Sequence, residues 1–150
     1  MSKVVGMQEL VDRLEKMQSI GTKIGNKALN NGGNIVRKAE IEQAKKHDKW
    51  SKGIGVNEIK KYRPKTCKSG KRVVDIGLKG SMSSNKKSNS DSRSTQWDKI
   101  RGLYFNNYGF YHNITGEYIA GSNWIGKAYE ESADEAYEAI KNEILKELNL

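Results

Sequence analysis

The sequence predicts an α+β domain, in which a small antiparallel sheet packs against an N-terminal helix (or helix pair) and a long C-terminal helix. Near both ends of the chain, apolar residues recur at steps of three and four, which is typical of amphipathic helices. Between these ends lie short runs rich in β-branched and aromatic residues, which favour strands. A length of 150 residues suits one domain, so we expect residues 1–150 to fold as a single unit.

The N-terminal region carries a helical pattern that begins near Met7 and continues into the twenties. Two asparagines and two glycines at residues 30–33 predict a break, followed by a second helix that runs to about Ala44. One long helix with a weak centre is the alternative interpretation. The sequence alone leaves both open.

The middle of the chain loses this pattern between residues 45 and 70, where lysine and glycine dominate. We expect a long basic loop, with a short strand or helical turn near residues 56–62. Residues 72–78 predict a strand. The segment at about 81–96 is rich in Ser, Asn and Lys and holds nothing that could fill a core, so we expect a flexible loop.

The last third begins with an aromatic segment that ends at Gly109. We expect strands at residues 99–107 and 116–120, a turn at 113–116, and then an amphipathic helix that Trp124 and Ile125 anchor at its start. Most of the aromatic residues should pack in the core, and any that remain exposed are of the types favoured at interfaces. The candidate structural or interface anchors are Tyr104, Phe105, Tyr108, Trp124 and Ile125.

Charge is distributed unevenly along the chain, whose net charge is +9 at pH 7. Residues 45–79 hold twelve Lys or Arg against three acids, whereas residues 126–150 hold three Lys against seven acids. A basic middle with an acidic end can bind nucleic acid or let identical copies dock head to tail. Trp50 and Tyr62 lie among these cations, where aromatic rings can stack on bases. The candidate DNA-facing or interface cations are Lys45, Lys46, Lys49, Lys52, Lys60, Lys61, Arg63, Lys65, Lys68, Lys71 and Arg72.

Residues that carry catalysis are scarce. The single cysteine, Cys67, excludes an internal disulfide, and neither His47 nor His112 has Cys or carboxylate neighbours at metal-ligand spacing. No glycine-rich segment has the spacing of a phosphate-binding motif. We therefore predict no enzymatic activity, no cofactor and no metal. The N-terminus has no long apolar run, so we expect neither a signal peptide nor a membrane anchor.

Several features together resemble a known family. The helix entry at residues 6–10 reads Gly-Met-Gln-Glu-Leu, and a basic segment closes residues 34–46. The aromatic segment turns at residues 105–109, and Trp124, Ile125 and Ala128 open the last helix. In these features the chain is similar to the tail-component family of long-tailed bacteriophages, which are tail-completion or head–tail joining (neck) proteins.

This resemblance implies a structural virion protein that is made in the bacterial host cytoplasm. The expected assembly is a homo-oligomeric ring of six subunits that joins the head connector or adaptor to the tail tube or tail terminator. DNA would pass through its lumen and contact the basic loop without being read, and no membrane would be involved. The alternative that the residues support is a small non-specific nucleic-acid-binding protein.

Overall fold

The computed structural model describes residues 7–49, 51–53, 55–78 and 91–149, with side chains for residues 13–49, 51–53, 55–78 and 100–149. It confirms the α+β class with small antiparallel sheets, since the described strands pair into three two-stranded ladders. The helices are α1 (Met7–Lys46), α2 (Asp91–Tyr108) and α3 (Trp124–Glu147), and a short 3-10 turn spans Val56–Glu58. The strands are β1 (Ile59–Lys61), β2 (Lys65–Thr66), β3 (Arg72–Val73), β4 (Ile76–Leu78), β5 (Gly109–Tyr111) and β6 (Tyr118–Ala120).

Helices α1 and α3 form an antiparallel pair that is the frame of the fold. Lys27 pairs with Glu143 and Glu147 near the end of α3, whereas Gln43, sixteen residues later on α1, donates to Glu131. The N-terminal part of α1 extends beyond the end of α3, and residues 13–21 are exposed there. Gly6 of the predicted helix entry lies outside the described residues.

The predicted break at residues 30–33 is wrong, and the alternative of one long helix is confirmed. Tertiary contacts explain why these weak helix formers stay helical. A Cβ at Gly32 would lie 2.6 Å from Cγ1 of Ile140, so only glycine lets α3 approach this closely. The amide of Asn31 donates to Oε2 of Glu143 at 3.0 Å. The residues that would break an isolated helix are therefore those that bind it to its neighbour.

A long β-hairpin, which we call the hairpin arm (residues 59–78), lies along α1. Strand β1 pairs with β4 at its base, and β2 pairs with β3 near its tip. The amide of Tyr62 donates to the carbonyl oxygen of Asp75 at 2.8 Å and links the two ladders. The predicted strand at 72–78 is thus interrupted, while the region 56–62 contains both a turn and a strand.

The aromatic segment forms a helix, and its predicted strand at 99–107 is wrong. Among residues 100–108 the buried positions are Ile100, Gly102, Leu103, Asn106 and Asn107, which follow helical spacing and not the alternation of a strand. Helix α2 also includes residues 91–96 of the predicted flexible loop, and residues 81–90 lie outside the described part of the chain. Aromatic β-propensity misled the prediction because burial against α3 decides the local structure.

Three predictions for the rest of the C-terminal third are confirmed, whereas strand β5 was not predicted. A turn at residues 113–115, followed by Gly116 at a φ of 69°, connects β5 to β6, and β6 lies within the predicted strand at 116–120. The last helix begins at Trp124 as predicted.

The core lies where the C-terminal half of α1, the base of the arm, α2 and the start of α3 meet. Its central side chains are Ala44, Val56, Ile59, Leu103 and Trp124. Trp124 is fully buried and packs with residues of α1, α2 and the base of the arm, so it anchors the last helix where these elements meet.

Candidate functional site

The predicted basic loop is divided between two places in the structure. Lys45 and Lys46 end α1, and Lys49 and Lys52 follow in the next loop. The other seven cations lie on the hairpin arm, whose Arg72 contacts Asn26 of α1. Asn26 precedes Lys46 by twenty residues, which corresponds to about 30 Å along an α-helix. The arm cations are Lys60, Lys61, Arg63, Lys65, Lys68, Lys71 and Arg72.

Some arm cations hold the fold together. Nζ of Lys61 donates to the carbonyl oxygen of Asn30 at 3.2 Å and to its Oδ1 at 2.8 Å. The guanidinium of Arg72 donates to Asn26 and, at 3.1 Å, to Oγ1 of Thr66. These contacts fasten the arm to α1, so Lys61 and Arg72 contribute little to a surface for partners.

Two other arm cations are neutralised locally. Lys65 pairs with Asp75, and the hydrogen bond that its ammonium donates to that carboxylate, followed by the carboxylate's charge, raises the pKa of Lys65. Nζ of Lys60 lies 3.5 Å from Oε2 of Glu58. Both pairs are partly exposed, so water and salt weaken them.

The remaining arm cations, Arg63, Lys68 and Lys71, are exposed and have no ion pair within the described residues. Lys68 and Lys71 flank the turn at the arm tip, where the amide of Cys67 donates to the carbonyl oxygen of Lys71 at 2.7 Å. Gly70 has a φ of 79° in this turn, a conformation that glycine adopts without strain. The tip therefore presents two cations on an ordered turn.

The loop after α1 is organised by Asp48. Its Oδ1 accepts hydrogen bonds from the amide of Ser51 at 2.9 Å and from Nδ2 of Asn106 at 3.2 Å, and Oδ2 accepts one from Gly53. Burial alone would raise the pKa of Asp48, but these hydrogen bonds outweigh it and lower that pKa. The nearby lysines are exposed on this ordered loop.

His47 lies beside this loop and is partly buried. Burial lowers the pKa of its imidazole, and the positive charges of Lys127, Lys46 and Lys49 lower it further. The ring is therefore neutral at pH 7. No group of three or more His, Cys, Asp or Glu residues that could hold a metal ion occurs within the described residues.

Two asparagines of α2, neither of them a predicted site residue, connect this helix to its surroundings. The carbonyl oxygen of Asn106 accepts from the amide of Ser122 at 2.7 Å, and its side chain accepts from the amide of Lys49 at 3.2 Å. Oδ1 of Asn107 accepts from the amide of Ile125 at 2.9 Å. The only feature of the sequence that could have indicated their role is that two adjacent polar residues interrupt an aromatic segment.

Four tyrosines form a continuous exposed surface, which we call the tyrosine patch: Tyr104, Tyr108, Tyr111 and Tyr118. Their exposed fractions range from 38% to 71%. Ring centroids are 4.6 Å apart for Tyr104 and Tyr108, and 5.1 Å apart for Tyr111 and Tyr118. The hydroxyl of Tyr118 donates to the carbonyl oxygen of Tyr108 at 2.6 Å and joins the two pairs.

The predicted anchors are thus divided between surface and interior. Tyr104 and Tyr108 belong to the exposed tyrosine patch. Phe105 packs on Phe110 at 5.0 Å, while Trp124 and Ile125 pack in or against the core. Of the aromatics predicted within the basic stretch, Tyr62 is half-buried, and Trp50 lies outside the described residues.

Helix α3 carries the opposite charge from the arm. Its exposed acids are Glu130, Glu131, Asp134, Glu135, Glu138 and Glu147. Within the described residues, no helix is long and apolar enough to cross a membrane.

Compared with known proteins, the chain matches no protein-family model, no curated protein and no solved structure.

Proposed function

We propose that this chain is a non-enzymatic structural protein of the bacteriophage neck. In this proposal six copies form a ring that joins the head connector to the tail tube or tail terminator and lets DNA pass. The supporting observation is that opposite charges lie on separate elements. The arm holds seven cations against one acid, and the solvent-facing side of α3 holds a cluster of acids.

Opposite charges on different faces favour contacts between unlike surfaces of identical copies. Such head-to-tail contacts generate a closed ring when the rotation between copies closes. The tyrosine patch offers a second surface of a type enriched at protein interfaces, suited to a neighbouring neck or tail component.

The exposed cations support a non-specific role toward DNA. Lys45, Lys46, Lys49 and Lys52 near the end of α1 are exposed, as are Lys68 and Lys71 at the arm tip. Neither group lines one face of a helix that could enter the major groove and contact bases. These cations therefore suit contacts with DNA phosphates, which do not depend on the base sequence.

Removing the coding sequence from the phage that encodes this chain tests the proposal. We expect filled heads and complete tails that remain unjoined in electron micrographs, with joining restored when the chain is supplied from a plasmid. Normal particles without the chain would contradict the proposal.

A small non-specific nucleic-acid-binding protein is the second candidate. It is favoured by the position of Arg63, Lys68 and Lys71 on a projecting hairpin, exposed and without ion pairs in the described structure. This function requires a monomer whose affinity for DNA falls steeply with salt concentration. Salt titration of DNA binding therefore separates the two functions.

A further inference from the structure

A groove lies between α1, α3 and the hairpin arm. Its volume is about 410 Å³, and its walls are apolar, formed by Val36 of α1, Ala133 and Ile140 of α3, and Val74 and Ile76 of the arm. A groove of this size is large enough for a long side chain from another molecule.

A carboxylate without a partner lines this groove. Glu40 is only 4% exposed, and its Oε2 accepts no hydrogen bond from any described residue. Burial raises the pKa of Glu40 to about 7. A buried acceptor without a donor is costly, so a ligand that brings a cationic donor to this atom would gain free energy.

Two tyrosines at the edge of the groove select the same kind of ligand. Tyr129 and Tyr137 of α3 line the groove, yet they are 64% and 65% exposed. Aromatic rings attract ammonium and guanidinium groups, and apolar walls suit the methylene chain of lysine. The combination of apolar walls, aromatic rim and buried carboxylate describes a site for a lysine side chain.

The arm tip supplies suitable lysines, but not to the groove of its own chain. Ile76, at the groove, is six residues from Gly70 at the tip, which is about 20 Å of extended strand. Contacts of Arg72 with Asn26 and of Lys61 with Asn30 hold the arm along α1. The tip is thereby directed away from its own groove.

We propose that this groove binds an arm-tip lysine, Lys68 or Lys71, from a second copy of the chain. Charge complementarity supports this occupant, because the tip is basic and α3, beside the groove, is acidic. The contact joins unlike surfaces, so it repeats head to tail. The contact specifies how neighbouring copies would join in the proposed ring, so it rests on the proposed neck function.

Sedimentation velocity on three variants tests the contact, with reductant present because Cys67 adjoins the tip. The tip variant carries Lys68→Glu and Lys71→Glu. The two groove variants are Glu40→Gln, which removes the charge with little change of shape, and Tyr137→Ala, which changes an exposed residue and should fold normally. We expect the tip variant and Glu40→Gln to weaken self-association at least about thirtyfold, the scale for truncating one partner of a buried charge pair. Tyr137→Ala should weaken it by about two- to thirtyfold, the scale of a cation–π contact. A control with Lys16→Glu and Lys23→Glu makes the same change in net charge on exposed α1 positions and should assemble as wild type does.

Mixing the variants gives a sharper result. The tip variant keeps an intact groove, and Glu40→Gln keeps an intact tip. In an equimolar mixture, the tip of a Glu40→Gln chain can therefore bind the groove of a tip-variant chain. Neither chain of this pair can bind a third copy, because the remaining tip and the remaining groove both carry substitutions. We expect dimers that contain one of each variant and nothing larger. A mixture that stays monomeric although wild type assembles would overturn the proposal, as would a wild type that remains monomeric at every concentration.

The pH dependence provides an independent readout. The titratable groups that line the groove with Glu40 are Tyr129 and Tyr137, both on α3, and the arm lines it with the apolar Val74 and Ile76. A proton on Glu40 competes with the lysine, so association should weaken as pH falls from 8 to 6, and Glu40→Gln should abolish this trend. Association of wild type that strengthens over this range would contradict the contact.

The proposed contact and the proposed neck function can be refuted independently of each other. If the tip variant enters phage particles and joins heads to tails as well as wild type does, the contact is wrong and the neck function stands. If association depends on tip and groove but the chain never enters particles, the contact stands and the neck function is wrong.

Discussion

The indole N–H of Trp124 donates a 3.1 Å hydrogen bond to the backbone carbonyl oxygen of Leu103, and both side chains are fully buried. This bond joins the first residue of α3 to the interior of α2. Because Ala44, Val56 and Ile59 surround the same point, it also fixes α2 against α1 and the base of the arm. Correct placement of Tyr104 and Tyr108, the two members of the tyrosine patch on α2, therefore depends on Trp124.

Replacing Trp124 with Ala should lower the free energy of unfolding by about 3–5 kcal/mol, since a large buried side chain is lost and a cavity remains. Urea denaturation measures this change. Trp124→Phe, which keeps most of the volume but removes the hydrogen bond, should cost less. Tyr129→Ala, at an exposed position on the same helix, is the control and should change stability by less than about 0.5 kcal/mol. Equal effects for Trp124→Ala and this control would refute the anchor assignment.

Replacing Gly32 with Ala should destabilise the fold by about 1–3 kcal/mol, because the added methyl overlaps Ile140 where α1 and α3 approach. Gly21→Ala on the same helix is the matched control. A Cβ there meets nothing within 4 Å, so the change should stabilise by about 0.5–1 kcal/mol. Thermal or urea unfolding of both variants checks the sign. Stabilisation by Gly32→Ala would mean that the helices do not pack this closely.

Lys61 and Lys68 on the arm should respond differently to the same substitution. Lys61→Ala removes the contacts with Asn30 and should cost about 1–2 kcal/mol of stability. Lys68→Ala, at the exposed tip, should remain within about 0.5 kcal/mol of wild type. Denaturation curves compare the two directly. Similar losses at both positions would show that the arm is not fastened to α1 by Lys61.

The stability of the chain should depend on pH through Glu40. Its pKa is about 7 in the folded chain and near 4.5 when exposed, so the folded state binds the proton more tightly. The contribution of Glu40 to stability is therefore greatest below pH 4.5. This contribution falls as pH rises from 4.5 to 7 and does not change further above pH 7. The full effect is about 3 kcal/mol.

Glu40→Gln isolates this contribution. The variant should gain stability relative to wild type by up to about 3 kcal/mol between pH 5 and pH 8, measured by urea denaturation at a concentration too low for copies to associate. A constant difference across this range would show that Glu40 is not buried in the folded chain.

Sequence periodicity was sufficient to predict α3 and the existence of α1, because both helices repeat their apolar residues over many turns. It failed at residues 30–33, where Asn30, Asn31 and Gly32 favour a break in an isolated helix. Their contacts with Lys61, Glu143 and Ile140 are distant in sequence, so no local pattern could indicate them.

Only part of the candidate site could be predicted, because the contacts that distinguish its residues join positions that are distant in sequence. Composition identified the exposed cations, but it could not separate Lys68, which is exposed, from Lys61, which is bonded to α1. Tyr104 of the tyrosine patch was predicted to lie in a strand because aromatic residues favour strands, whereas the packing of Leu103 against Trp124 favours a helix there. The lone carboxylate of Glu40 was invisible, since its burial depends on α3 and the arm together.

The most direct test of the central claim is the mass of the purified chain in solution, measured by light scattering over a concentration series with and without short duplex DNA. The neck account predicts a closed oligomer, six copies of the 16.9 kDa chain, whose mass DNA does not change. A monomer that binds DNA tightly at low salt and releases it at higher salt would contradict the account and favour the nucleic-acid-binding function.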